Sequence, residues 1–171
     1  MPRQPSNAFP RLVDRTTPRS VALETTLLLH GVPRDAAAPL ARELSEIVAR
    51  AGAHPALVAV LAGVPIVGVN DVELESLLNT PDVPKINSAN LGVVLHRGLS
   101  GATTVSTTME LAAAAGVSFF ATGGLGGIHR GYAEHLDISA DLAAFTRFPV
   151  AVVTAGVKSI LDVVSTREAF E

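Results

Sequence analysis

Thirteen side chains in this 171-residue chain are lysine or arginine, and eleven of them are arginine. The two lysines, Lys85 and Lys158, stand apart. Where a surface needs only positive charge, this chain uses Arg. Lysine adds a chemistry that Arg lacks: once deprotonated, its amine adds to carbonyls and forms a Schiff base. Lys158 lies in the run AVVTAGVKSILD, residues 151–162. The run reads as a strand ending near Thr154 and a helix opening near Val157. Lys158 then falls in the first helical turn, where the dipole opposes a cation and burial would oppose it further. The plain alternative is a surface lysine.

Three other stretches carry polar groups in places where chemistry could occur. Glu24 interrupts the apolar run VALETTLLLHG. It is either an edge position with a salt bridge or a desolvated acid suited to donating a proton. His30 and Gly31 follow closely and favour a polar turn. GATTVSTTM, residues 101–109, places small hydroxyl residues ahead of a helix. That suits an ordinary N-cap, or an anion site at a helix N-terminus. It lacks the Gly-Lys-Ser/Thr of a P-loop. TGGLGGIHRGYAEHLDISADL, residues 122–142, gathers glycines with His129, Glu134, His135, Asp137 and Asp141. These are solvated loop charges or ligands for a hard divalent ion such as Mg²⁺ or Mn²⁺. The glycine spacing is not that of a dinucleotide fingerprint.

The elements that must position these groups alternate along the chain. Strand patterns cover 20–31, two segments of 55–69, 83–87, 117–122 and 151–156. Helical patterns cover 35–51, with Leu40, Leu44, Ile47 and Val48 on one face, 71–79 after an Asn70 or Asp71 cap, and 102–115, stopped by Gly116. A turn at Gly63-Val64-Pro65 separates the two middle strands. Such alternation, with long apolar strands, predicts an α/β domain with a largely parallel sheet. Residues 1–19, with four prolines and four arginines, read as an irregular lead-in or a transit-peptide-like segment; residues 20–171 read as the domain. Apolar residues make up 48% of the chain, enough for a substantial core. A net charge of −3 without a basic block argues against nucleic acid as a partner. The absence of cysteine excludes disulfides, thiolate metal sites and a cysteine nucleophile, and suits a cytoplasmic chain. No apolar run reaches the roughly 20 residues of a membrane span.

Taken in order, ALETTLLLHGVP, GATTVSTTM, FATGGLGGIHRG, DISADL and AGVKSILD make the chain similar, from about Val21 onward, to the pseudouridine-5′-phosphate glycosidase family, also called indigoidine synthase A-like proteins. The resemblance implies an α/β/α layered fold and a homotrimer. It implies reversible cleavage of the C–C glycosidic bond of pseudouridine 5′-phosphate to ribose 5-phosphate and uracil, with a divalent metal, usually Mn²⁺. In that chemistry the ribose ring opens and C1 is held as a lysine imine, an electron sink that replaces the two-carboxylate arrangement of ordinary glycosidases. Matched by motif, Lys158 is the Schiff-base lysine and Glu24 the proton donor. Asp137 is the metal-associated aspartate. Ser139, Ala140 and Asp141 form a substrate-binding run. Lys85 contacts the sugar phosphate, Val105 lies where backbone meets the phosphate, and His129 lies near the base.

The chain departs from the family at three points. After Lys85 the family pattern K-V-S-R-R-D-L is replaced by KINSANL, which removes two arginines and an acid. Thr25 stands where a serine is usual. Family chains also continue well past this length, with an Asn that contacts uracil, so the resemblance implies a C-terminally short form. Two further readings follow: a weak or inactive member that binds a sugar phosphate or a partner chain, and a Schiff-base lyase for another phosphosugar. The missing length also predicts an apolar area left exposed near the end of the chain.

Overall fold

The computed structural model describes Phe9 and residues 11–171. The remainder of the expected lead-in, residues 1–8 and 10, lies outside the described residues. Of residues 11–19, two enter the sheet and the others are turns or irregular. Strand β1 (Val13–Asp14) pairs in parallel with β4 (Val64–Val67). Arg15 follows and grips both carboxylate oxygens of Glu73, at 2.7 and 2.8 Å. The same Glu73 completes a capping box with Asn70 at the start of α2 (Asp71–Asn79). Asn70, one of the two caps the sequence offered, is the one used.

The fold is the expected layered α/β arrangement, with a mixed sheet at its centre. β2 (Ser20–Glu24) pairs in parallel with β3 (His54–Leu61) and with β7 (Phe119–Thr122), and β7 with β8 (Ala151–Thr154). β4 turns back antiparallel to β3. The turn is Ala62-Gly63, both at positive φ, while Pro65 sits inside β4 opposite Val60. The turn therefore begins one residue before the Gly-Val-Pro reading and ends at Gly63, which supplies the left-handed backbone that Pro cannot.

Alternate residues of β3 enter two cores. Ala56, Val58 and Val60 pack with Phe120, Met109, Leu111 and Ala112 on the face covered by α4 (Val105–Ala114). Leu57 and Ala59 face α1 (Arg34–Arg50) and α2 through Ala37, Ala41, Leu74 and Leu77. The buried stripe of α1 runs through Ala37 and Ala41, with Leu40, Leu44 and Val48 beside it. Ile47, expected in that stripe, is 48% exposed. Small residues let the helix approach the sheet closely, and this rotates the stripe away from Ile47.

β3 changes partner partway along. Residues 54–58 pair with β2, and Ala59 and Val60 pair antiparallel with β6 (Gly101–Thr103). β6 in turn carries β5 (Lys85–Ile86) in parallel. At the changeover, the carbonyl oxygen of Val58 accepts from the hydroxyls of Thr25 (2.8 Å) and Thr103 (2.6 Å). Thr25 Oγ1 also accepts from the Thr103 N–H, and Thr108 donates its hydroxyl to Thr103. All three threonines are fully buried.

The end of the chain corrects another expectation. No helix opens at Val157. Residues 155–162 form an extended turn, and α7 (Val163–Phe170) starts after Asp162, whose side chain accepts from the Ser165 N–H. The apolar area expected there is present: Val153, Ile160 and Val164 are exposed, as is Phe119 on the same sheet face as Val153. Among the described residues, no helix is long and apolar enough to cross a membrane.

The threonine cluster yields a stability prediction. Thr25→Val keeps the shape but strands the buried Thr103 N–H and takes one donor from Val58. It should cost about 1–3 kcal/mol in urea unfolding. An unchanged midpoint would show that the cluster adds nothing.

Candidate active site

β2, β7 and β8 run in parallel, so their carboxyl ends meet at one edge of the sheet, where crevices form in α/β folds. Glu24 ends β2 and Thr122 ends β7. The Thr122 hydroxyl donates to Glu24 Oε1 in a short hydrogen bond. Burial pushes the Glu24 carboxyl above the ordinary glutamate range. The Thr122 hydroxyl and the positive charges of Lys158 and Lys85 pull the other way, while the negative charge of Asp141 adds to the rise. Of the two sequence readings of Glu24, the half-buried acid is the one realised. Its partner is a hydroxyl rather than an arginine.

Lys158 follows β8 on an exposed turn outside any helix. A glycine loop fixes its backbone. The Leu125 N–H donates to the Gly156 carbonyl at 2.9 Å, and the Lys158 N–H donates to the Leu125 carbonyl at 3.1 Å. Its aliphatic stem lies over Gly124, where an added Cβ would come 3.1 Å from Cγ. The turn itself is tied by Thr154, whose Oγ1 accepts from the Gly156 N–H. Lys85 opens β5 and is exposed; it reaches the same edge because β6 takes over from β2 along β3.

Val105 is the first residue of α4 and is buried. Asp141, in α6 (Ala140–Arg147), is only 4% exposed. Its two oxygens accept from the Ser106 N–H (3.0 Å) and the Gly126 N–H (2.9 Å). Ser139 caps α6, and Ala140 follows as its first residue. Of the backbone N–H groups at the α4 terminus, that of Ser106 is already taken by Asp141, and the side chains of Thr103, Ser106, Thr107 and Thr108 are fully buried.

Asp137 and His129 form a separate, exposed pair, with Oδ2 and Nδ1 3.6 Å apart. Glu134 and His135 lie farther out on the short helix α5 (Tyr132–His135), paired with each other at 3.7 Å. Among the described residues, no group of three His, Cys, Asp or Glu side chains is arranged to hold a metal ion. The dense cluster seen in the sequence thus separates into pairs, and Asp141 faces inward. Asp137 with His129 offers one oxygen and one nitrogen donor. Of the two, the Asp137 carboxylate is the donor type that suits Mg²⁺ or Mn²⁺.

Sequence reasoning passed over Thr122, Thr154, Ser106 and Gly126. Thr122 carried a signal: a hydroxyl at the last strand position, before Gly-Gly. The other three act through contacts that only the folded chain creates.

The indigoidine synthase A-like protein family model matches residues 13–171. The pseudouridine-5′-phosphate glycosidase of Salinispora tropica is 49% identical over 151 residues, covering 88% of this chain and 47% of that protein. The protein of the same name from Streptomyces griseus is 50% identical, with the same coverage. The crystal structure of an indigoidine synthase A-like protein from Thermotoga maritima superposes with a TM-score of 0.84 at 32% identity, over 92% of this chain and 53% of that one. The prealnumycin C-glycosynthase AlnA, solved with ribulose 5-phosphate, gives 0.79 at 38%, over 89% and 49%. The chain spans about half the length of the curated relatives it matches. With nearly all described residues matched and close to half of them identical, the chain belongs to the indigoidine synthase A-like family.

Proposed function

We propose that this chain carries the sugar-phosphate part of an active site for reversible C–C glycosidic cleavage of pseudouridine 5′-phosphate. The observation that supports it most is the meeting of a raised carboxyl, Glu24, with both lysines of the chain at one sheet edge. In the synthetic direction, the Lys158 amine adds to C1 of open-chain ribose 5-phosphate, and water leaves to give an imine. Protonated, that imine is an electron sink for attack by a carbon of uracil. In the cleavage direction the Lys158 amine displaces the ring oxygen from C1 and its proton passes to that oxygen, opening the ring; the nitrogen lone pair then forms the imine as the C–C pair passes to uracil, and Glu24 delivers a proton to the departing carbon. Water then hydrolyses the imine and frees Lys158.

Lys85 and the α4 terminus at Val105 hold the phosphate in this reading, with Ser139 and Ala140 beside the sugar and His129 toward the base. Asp137 would hold Mn²⁺, which would supply charge to orient and polarise the sugar oxygens. The reading places the protein in the cytoplasm as a homotrimer, with no nucleic acid or membrane partner.

Borohydride added with ribose 5-phosphate should fix the reduced adduct on Lys158, read by peptide mass. Lys158→Arg keeps the charge and should yield none; an adduct on Lys85 would move the nucleophile there.

A raised carboxyl also has a thermodynamic signature. Folded Glu24 holds its proton more tightly than unfolded Glu24. Stability is therefore favoured at low pH and declines as pH rises from the ordinary glutamate range through the raised value. Glu24→Gln should flatten that part of the melting profile. It should also lower uracil release by roughly 10²–10⁴-fold. An unaltered slope would place the acid elsewhere.

For the metal, chelation should abolish uracil release and Mn²⁺ restore it, with Asp137→Asn raising the Mn²⁺ concentration required. Full activity of Asp137→Asn in chelator would remove Asp137 from that role.

A further inference from the structure

The family resemblance places Asp141 among the residues that bind substrate, but its carboxylate points into the protein. It is 4% exposed, and each oxygen accepts a backbone N–H, one from Ser106 at the start of α4 and one from Gly126 in the glycine loop. A buried carboxylate is tolerated when backbone donors replace its lost hydration, and the bonds are then strong.

Gly126 is fitted to this grip. An added Cβ there would lie 2.7 Å from Asp141 Oδ2 and would press harder still on Ser139 Oγ. The neighbouring residue, Leu125, exchanges backbone hydrogen bonds with Gly156 and Lys158, at 2.9 and 3.1 Å. One residue further back, Gly124 lies under the Lys158 stem. The path from the buried carboxylate to the exposed lysine is therefore continuous: Asp141 to Gly126 by hydrogen bond, Gly126 to Leu125 by covalent chain, Leu125 to Lys158 by hydrogen bond.

We infer that Asp141 is a positioning residue for Lys158, holding the glycine loop on which the lysine backbone and stem rest, and that it does not bind the sugar. The inference takes the role of Lys158 from the proposed function, but the placement of the loop stands independently of it. Lys158 sits on an exposed turn outside any helix, so its place depends on what the turn rests against. Asp141 also anchors the loop to α4, at whose first turn the phosphate is proposed to sit, so one side chain sets the spacing between the two.

The test uses the full chain and two variants that disturb the grip from opposite sides. Asp141→Ala removes both acceptors. Gly126→Ala leaves the carboxylate but pushes the loop off it, and decides the matter should the first variant fail to fold. Amide hydrogen exchange followed by NMR should rise about tenfold or more at Gly126, and together with it at Leu125 and Lys158. Core amides at Ala22 and Phe120 should keep their protection. Borohydride trapping with ribose 5-phosphate should slow several-fold at saturating sugar, with the half-saturating concentration unchanged. Unchanged exchange at Leu125 and Lys158 while Gly126 opens would overturn the inference. So would a rise in half-saturating sugar with full trapping at saturation, because Asp141 would then be a sugar ligand. If the unaltered protein traps no adduct at all, the Schiff-base reading fails, and the exchange measurement still decides the positioning role.

Discussion

At Val58, strand β3 gives up β2 and takes β6 as its neighbour. A buried carbonyl at such a junction would lose its ladder partner, which is costly in an apolar core. The hydroxyls of Thr25 and Thr103 both donate to it, and the Thr103 N–H donates in turn to Thr25. This repair lets β2 stop at Glu24 inside the sheet. The space beyond its end is bordered by β6 and β5 on one side and by the loops after β7 and β8 on the other. Glu24, Thr122, Lys158 and Lys85 gather around the end of β2, while Asp137 with His129 stands apart and Asp141 turns inward.

The electrostatics of the opening follow from its position. Glu24 lies deep enough to lose hydration, yet within reach of Lys158, Lys85 and Asp141, whose charges act on it in opposite senses. Desolvation is the largest influence and decides the direction. The lysines stay at the rim, exposed, where an incoming phosphate or carbonyl could meet them. The half-buried carboxyl is thus partly withheld from water, while the two amines are not. The exposed apolar face of β7 and β8 lies on the same side of the molecule as the α1 layer, which stops short of it.

The sequence alone determined the layered α/β class, the identity of the chemically distinctive residues and the family they belong to. Those properties are local: the apolar strand run from Pro55, a helix cap at Asn70 or Asp71, the stop at Gly116 and the spacing of short motifs depend on neighbours a few residues apart. The scarcity of lysine singled out Lys85 and Lys158 for the same reason, since composition needs no fold to be read.

Only the tertiary structure decided what each group faces. Asp137 and Asp141 are four residues apart, yet Asp137 is exposed beside His129 and Asp141, in the first turn of α6, is buried under two backbone amides. The turn after β8 looked like a helix start because its residues are apolar and can adopt either form. Its backbone hydrogen bonds go instead to the glycine loop some thirty residues away. The partner exchange of β3 was invisible for the same reason: Thr25, Val58 and Thr103 span 78 positions, and no local pattern marks three side chains that meet only when the sheet closes.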